Sequence, residues 1–358
     1  LYGTGTERRH AALKYTLFML AGGIPLLFGI LLLAMNYAEQ VGLPISRGLS
    51  FDYLTLLHIP VAQDTGRLIF LLLMLGFAVK APLFPLHTWL PAVAMEGPLG
   101  LTAFLTGLKL GVYGILRFAI PLVPGSASTY SGVLVALGAA GLLYGGLIAL
   151  RETNVRRMLA YSSISHVGGT LVGIATLNTQ GVQGAVFQLL NFAVVSTGLF
   201  LLTGFLRHRT GTTELSGLGG VATTMPRLTV CFFMLGLSAI GVPGTGGFAA
   251  ELLILMGAFK THIGLGMALL AGSVLAGACF FNVYRRAFLG PVPHGWVGQN
   301  ADLRPREMLV AGLFVLLSLI TGLMPNLIVQ ENQRAVETWV NRIHTPVENA
   351  SLAWSSIP

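Results

Sequence analysis

Lys80-Ala-Pro82-Leu-Phe-Pro85 interrupts an apolar run from Arg67 to Gly97, and Gly241-Val-Pro243-Gly-Thr-Gly-Gly247 interrupts another from Arg227 to Lys260. As single helices these runs would measure about 45 Å and about 50 Å, against a hydrocarbon core of about 30 Å. Pro82 and Pro85 each remove a backbone donor and clash with the preceding turn. Gly244, Gly246 and Gly247 supply the permissive backbone that a non-helical link needs. Both runs are therefore expected to cross the membrane as broken helices. Lipid cannot satisfy the freed carbonyls, so such breaks belong inside protein or beside a water-filled cavity. One kink alone would be an ordinary packing feature, since Pro and Gly are common in membrane helices. Two breaks, beside Lys80 in one run and Glu251 in the other, point instead to a transport pathway.

Working outward, the whole chain has the composition of a polytopic membrane protein. Of 358 residues 54% are hydrophobic and only 9% charged, where soluble domains carry about 25% charged residues. With about 20 apolar residues needed per crossing, nine spans are expected, at 12–35, 67–97, 98–121, 129–150, 156–176, 183–206, 227–260, 264–289 and 306–327. The first is too long for a signal peptide and lacks a small-residue cleavage site. Cys231 and Cys279 lie in separate spans without CxxC spacing, which argues against a disulfide framework or a metal site. No nucleotide loop, haem attachment or iron–sulfur cysteine set is present, so no cofactor is expected in this chain.

The net charge of +8 is read as topology rather than nucleic-acid binding. If the spans alternate, Arg8, Arg9 and Lys14 share a face with Arg151, Arg156, Arg157, Arg207, Arg209, Arg227, Arg285, Arg286, Arg304 and Arg306. The opposite connections at 121–128 and 176–182 have no Lys or Arg, and the long loop 36–66 has only Arg47. The positive-inside rule makes the first face, with the N-terminal end, cytoplasmic. On the opposite side, 333–342 is expected to form a short helix lying along the surface on Val336, Trp339 and Val340.

Four ionisable residues are candidates for a proton pathway. Lys80 lies about 20 Å along its helix from Arg67, near mid-depth, where snorkelling to an interface is a weak alternative. Lys109 lies about 17 Å into its span, among Thr102, Thr106, Gly107 and Gly111, a pattern of helix–helix contact. A desolvated lysine can give up its proton, as a permanently charged arginine cannot. Glu251 is about 14 Å back from Lys260; the plainer reading for it is a structural ion pair. His166, within Tyr161-Ser-Ser-Ile-Ser-His166, is about 14 Å beyond Arg157 and shares a polar face with Ser162, Ser163 and Ser165. Imidazole can receive a proton on one nitrogen and donate from the other. The alternative is a packing histidine with serines as interhelical glue. His87, Tyr161, Ser162, Ser165 and Asn191 are auxiliary candidates.

Four strings carry a resemblance: Phe77-Ala-Val-Lys-Ala-Pro-Leu-Phe-Pro-Leu-His-Thr-Trp-Leu-Pro91, Lys109-Leu-Gly-Val-Tyr-Gly-Ile-Leu-Arg-Phe118, Met158-Leu-Ala-Tyr-Ser-Ser-Ile-Ser-His-Val-Gly168 and Gly241-Val-Pro-Gly-Thr-Gly-Gly-Phe-Ala-Ala-Glu251. In these the chain resembles the antiporter-like subunits of respiratory complex I, most closely the M-type (subunit 4) chain of NADH:quinone oxidoreductase. The resemblance implies an all-α fold of two inverted five-helix repeats, each with a discontinuous helix. It divides the single membrane domain into the remainder of a first repeat (1–121), a second repeat (129–289), an additional helix (306–327) and a C-terminal surface segment (328–358). It also implies roles: Lys80 as the broken-helix lysine normally paired with a Glu, Lys109 as bridging lysine, His166 as central relay and Glu251 as terminal residue. The implied partners are other membrane subunits and, through them, quinone-reducing peripheral subunits, in a bacterial inner membrane.

Two departures stand out. By the resemblance, the chain, which opens at Leu1 without a Met, is expected to lack about the first five helices of the family, including the Glu partner of Lys80. Where the family often has a His, this chain reads Gln188-Leu-Leu-Asn-Phe192, leaving Asn191, Ser196, Thr197 or water to fill the gap. Two alternatives remain at this level. One is a subunit of a multisubunit cation/proton antiporter, the other a non-conducting anchor of a hydrogenase-like or carbon-uptake complex.

Overall fold

The structure, a computed structural model, describes residue 3 and residues 5–292 and 301–344. The last part of the expected C-terminal segment, 345–358, lies outside the described residues. In chain order, α1 (Arg8–Val41) is followed by the short α2 (Ile45–Gly48) and α3 (Tyr53–Leu57). The first broken span is α4 (Gln63–Lys80) plus α5 (Trp89–Glu96). Next come α6 (Leu99–Leu108), α7 (Leu110–Gly114), a π-helical turn (Ile115–Ala119) and α8 (Ile120–Leu122). Then follow α9 (Pro124–Arg151), α10 (Val155–Ala175), α11 (Thr179–Thr210) and the short α12 (Val221–Thr224). The second broken span is α13 (Pro226–Ala239) plus α14 (Gly246–Thr261). Finally, α15 (Ile263–Val283) leads into a second π-helical turn (Tyr284–Phe288), ahead of α16 (Pro305–Leu323) and α17 (Asn326–His344). Among the described residues seven helices are long and apolar enough to cross a bilayer, and the broken pairs fall in the two runs where breaks were expected.

Burial ranks the spans. In α10, 89% of the apolar window is buried inside the protein, against 11% in α16, so α10 is the axis and α16 lies at the periphery. α10 packs on α9 and α11, while α11 also packs on α6 and α14. The close α9–α10 approach needs small residues: a Cβ on Gly168 would collide with the backbone of Gly138 and Leu142.

Each break satisfies its own backbone locally, as burial demands. At the first, Leu83 N–H turns to Ala78 O, and the bypassed Val79 carbonyl accepts from the Trp89 indole at 2.9 Å. Gly111 lies against Ala81, where a Cβ would come within 2.6 Å of the Ala81 Cα. At the second, Gly241 (φ 69°) and Gly244 (φ 91°) adopt left-handed conformations that glycine tolerates without steric cost. Gly247 is pressed so tightly on the Ser238 carbonyl that a Cβ has no room.

One expectation is corrected at α17. The helix forms, but its apolar face is covered by protein rather than by the membrane surface: Val336, Val340 and Ile343 are buried in one core with Leu116, Ala119 and Ile120. The reason lies in Pro121. Lacking an N–H, it cannot serve the carbonyls of Leu116 and Arg117 one turn back. The Trp339 indole donates to Leu116 O at 2.8 Å, and the Tyr53 hydroxyl to Arg117 O at 3.0 Å. Arg342 adds bonds to Pro121 O (2.9 Å) and Leu57 O, and His344 Nε2 lies 3.0 Å from Leu177 O. Tyr53 is itself placed by α3, whose N-cap Asp52 accepts from the Thr55 hydroxyl and amide; those bonds hold the exposed Asp52 carboxyl below its ordinary pKa.

Contacts also sort the connections by side. Asn154 with Glu214, Arg209 with Glu307, and Arg227 N–H with Asp302 tie together one end of the bundle. The α17 contacts close the other. Of the connections expected to share a face, those around residues 154, 209–214, 227 and 302–307 are joined by these contacts.

Candidate functional site

Lys109 sits at a third break, which the sequence reading treated as continuous helix. It separates α6 from α7 with φ 46° and ψ 38°, a left-handed conformation unusual for a non-glycine residue. Such strain persists only where the surroundings over-determine it, and it clusters at functional positions. Gly107 packs against Thr197 on one side and Gly111 against Ala81 on the other, which pins the backbone here. The side chain is 5% exposed. Its ammonium donates to the Ser163 hydroxyl and stands 5.5 Å from the centroid of the Phe192 ring.

Ser163 and His166, one turn apart on α10, are both buried. The imidazole packs against Phe192 with ring centroids 5.0 Å apart. Beyond it, α9, α10, α11, α14 and α15 border an open-sided cavity of about 200 Å³, lined by His166, Thr170, Gln188, Gly241, Glu251 and Ser273 among others. Its lining is largely apolar, with His166, Thr170, Gln188, Glu251 and Ser273 supplying the polar groups, and its volume exceeds that of a single water. Glu251, partly exposed, faces it and accepts from the Ser273 hydroxyl at 3.1 Å. Gln188 Oε1 has no protein partner, although the residue is 3% exposed.

Lys80 departs from the expectation of a buried charge. It is the last residue of α4, its side chain is exposed, and no described residue binds it. Its place at the end of α4 fits the expected interruption, but the face it presents does not fit a buried charge. The auxiliary candidates divide. Ser165 donates to Leu142 O at 2.7 Å and so acts as interhelical glue. Asn191 accepts from Ser238 at 3.1 Å, beside the second break rather than in the gap near Phe192. His87 and Tyr161 belong to an aromatic cluster with Phe84 and Tyr144, in which the His87 and Tyr144 centroids are 5.1 Å apart. Ser162 is half-buried. Missed entirely were Ser273 and Gln188. Ser273 is a lone hydroxyl inside an apolar span, a signal that existed; nothing in the sequence places Gln188 opposite Glu251.

The structure thus sets Lys109 against Ser163, places His166 and Glu251 on the wall of one cavity, and leaves Lys80 exposed. The NADH:quinone oxidoreductase/Mrp antiporter transmembrane family model matches residues 1–276. This chain belongs to that family. A curated relative, NADH-quinone oxidoreductase subunit M of Rickettsia typhi, is 34% identical over 337 residues, covering 93% of this chain and 66% of the relative. The chain therefore spans just under two thirds of that relative's length. Among solved structures, respiratory complex I from Thermus thermophilus with bound NADH contains a chain with TM-score 0.88 and 32% identity, covering 96% of this chain and 71% of that one. The Mrp complex from Dietzia sp. DQ12-45-1b has a chain of the same fold, with TM-score 0.79 and 24% identity, covering 93% and 70%. As a member of this antiporter-like family, the chain is a multi-pass membrane protein.

Proposed function

We propose that this chain carries protons across the membrane as a membrane subunit of a complex I-type quinone oxidoreductase, without redox chemistry of its own. The observation carrying this reading is the buried series Lys109–Ser163–His166–cavity–Glu251, which supplies groups able to take up and release protons together with space for water between the last two. Lys109 is the central proton holder, His166 the relay, and Glu251 the terminal group. Charged groups inside a membrane protein mark ion pathways by default. Exposed Lys80 is the site where a change of field enters, through pairing with an acidic group. Electron transfer elsewhere in the assembly would alter that pairing and drive a proton along the polar axis.

In this reading the partners are other membrane subunits and, through them, peripheral quinone-reducing subunits. The chain sits in a bacterial inner membrane with its N-terminal end cytoplasmic, and its two repeats follow the division at 121–129. A second reading, a subunit of a cation/proton antiporter, draws on the fold shared with the Mrp complex chain. It predicts sodium-dependent transport without a redox partner.

Lys109→Ala, placed in the membrane complex that contains this chain, is expected to abolish most redox-driven proton pumping in proteoliposomes. Parental proton-per-electron stoichiometry in that variant would overturn the proposal and favour a non-conducting anchor. Co-purification in mild detergent separates the two transport readings: peripheral redox subunits select the first, exclusively membrane-embedded companions the second.

A further inference from the structure

We propose that Phe192 is an apolar gate between Lys109 and His166, closing the proton path between the lysine and the cavity that reaches Glu251. The inference rests on the proton path proposed above and assigns a role to a residue with no proton chemistry.

Three observations converge on it. The ring contacts both groups: the Lys109 ammonium lies 5.5 Å from its centroid and the His166 ring 5.0 Å. Phe192 is 3% exposed, so the ring is packed in place. The cavity that reaches Glu251 has His166 in its wall, and Lys109, Ser163 and Phe192 are not among its lining residues.

A proton leaving the Lys109 Nζ finds the Ser163 hydroxyl, which can accept it and release its own. Ser163 and the imidazole share a face of α10, three residues apart. A phenyl face attracts an ammonium but neither accepts nor passes a proton. While it fills the step beside Ser163, water from the Glu251 cavity cannot reach Lys109. Apolar constrictions conduct only when wetted, and rotation of one side chain is the smallest movement that admits water here. The gate would therefore keep protons from running back along the wire between turnovers, with no second charged group needed.

The test is passive proton conductance of the intact complex in proteoliposomes, without electron donor, under an imposed pH gradient read by a trapped pH-sensitive dye. Replacing Phe192 by Leu, Val and Ala, scored on variants that assemble and retain electron transfer, should raise the leak progressively as side-chain volume falls. The Ala variant should reach about tenfold over the parent. Adding Glu251→Gln to Phe192→Ala should return the leak to the parental level, because the escaping protons use this route. A flat leak across the assembled series overturns the gate, as does a leak that survives Glu251→Gln. These outcomes are separable from failure of the functional reading: Lys109→Ala with unchanged pumping removes the path itself, whereas pumping lost in Lys109→Ala with a tight Phe192→Ala removes only the gate.

Discussion

The two interrupted spans solve the same backbone problem with opposite placement of charge. In the first, Lys80 precedes the break and ends α4, so its cation sits at the carbonyl end of a half-helix, where the dipole favours it. In the second, Glu251 follows the break, in the second turn of α14, where the dipole's help has largely faded. Lys80 is exposed and the freed carbonyl beside it is taken by an indole; Glu251 faces a cavity and holds a serine hydroxyl. The lesson is that a broken membrane helix does not by itself make a wet site. The first break is sealed by Trp89 and by the α7 backbone. The second keeps its charge on the wall of the interior space.

That contrast can be attacked in four ways. The largest effect is expected from glycines that press backbone on backbone. Gly247→Ala and Gly111→Ala should each lose about 2–3 kcal/mol of stability through overpacking, seen as a lowered Tm in detergent, whereas Gly125→Ala, with open space around it, should not lower Tm. If both tight sites tolerate Ala, the breaks are softer than described. Next, Glu251→Gln should cut redox-driven pumping at least about tenfold, equivalent to about 1.4 kcal/mol or more. A near-parental ratio of protons to electrons in that variant would make the second break as inert as the first. Trp89→Phe leaves the buried Val79 carbonyl without its donor and should cost about 1–2 kcal/mol; an unchanged thermal midpoint would deny the indole its sealing role. Smallest, His166→Ala should slow transfer about threefold, because water can enter the vacated volume and relay in part. Abolished pumping there would make the imidazole indispensable and move the bottleneck away from Phe192.

Much of the architecture is readable because its determinants are local. Pro82, Pro85 and the Gly241–Gly247 stretch announce their breaks through backbone chemistry alone. The break at Lys109 carries no such signal: Leu108-Lys109-Leu110 contains neither Pro nor Gly, and its left-handed backbone is imposed by Thr197 and Ala81 packing on the flanking glycines. Helical spacing places Lys80 along α4 but does not set its facing, which depends on what packs against α4. The cavity is a property of five helices, so no window of sequence contains it. Nor does the amphipathic pattern of 333–342 distinguish a lipid surface from a protein surface; Pro121, some 220 residues earlier in the chain, decides that.

The bond from Trp339 to Leu116 gives the molecule its own reporter. An indole's emission responds to whether its N–H is engaged and to the polarity around it, and this one is anchored in the π-helical turn that follows the kinked lysine. Any displacement propagated down that segment during turnover would register as a spectral change at the molecule's rim, legible without attaching a dye.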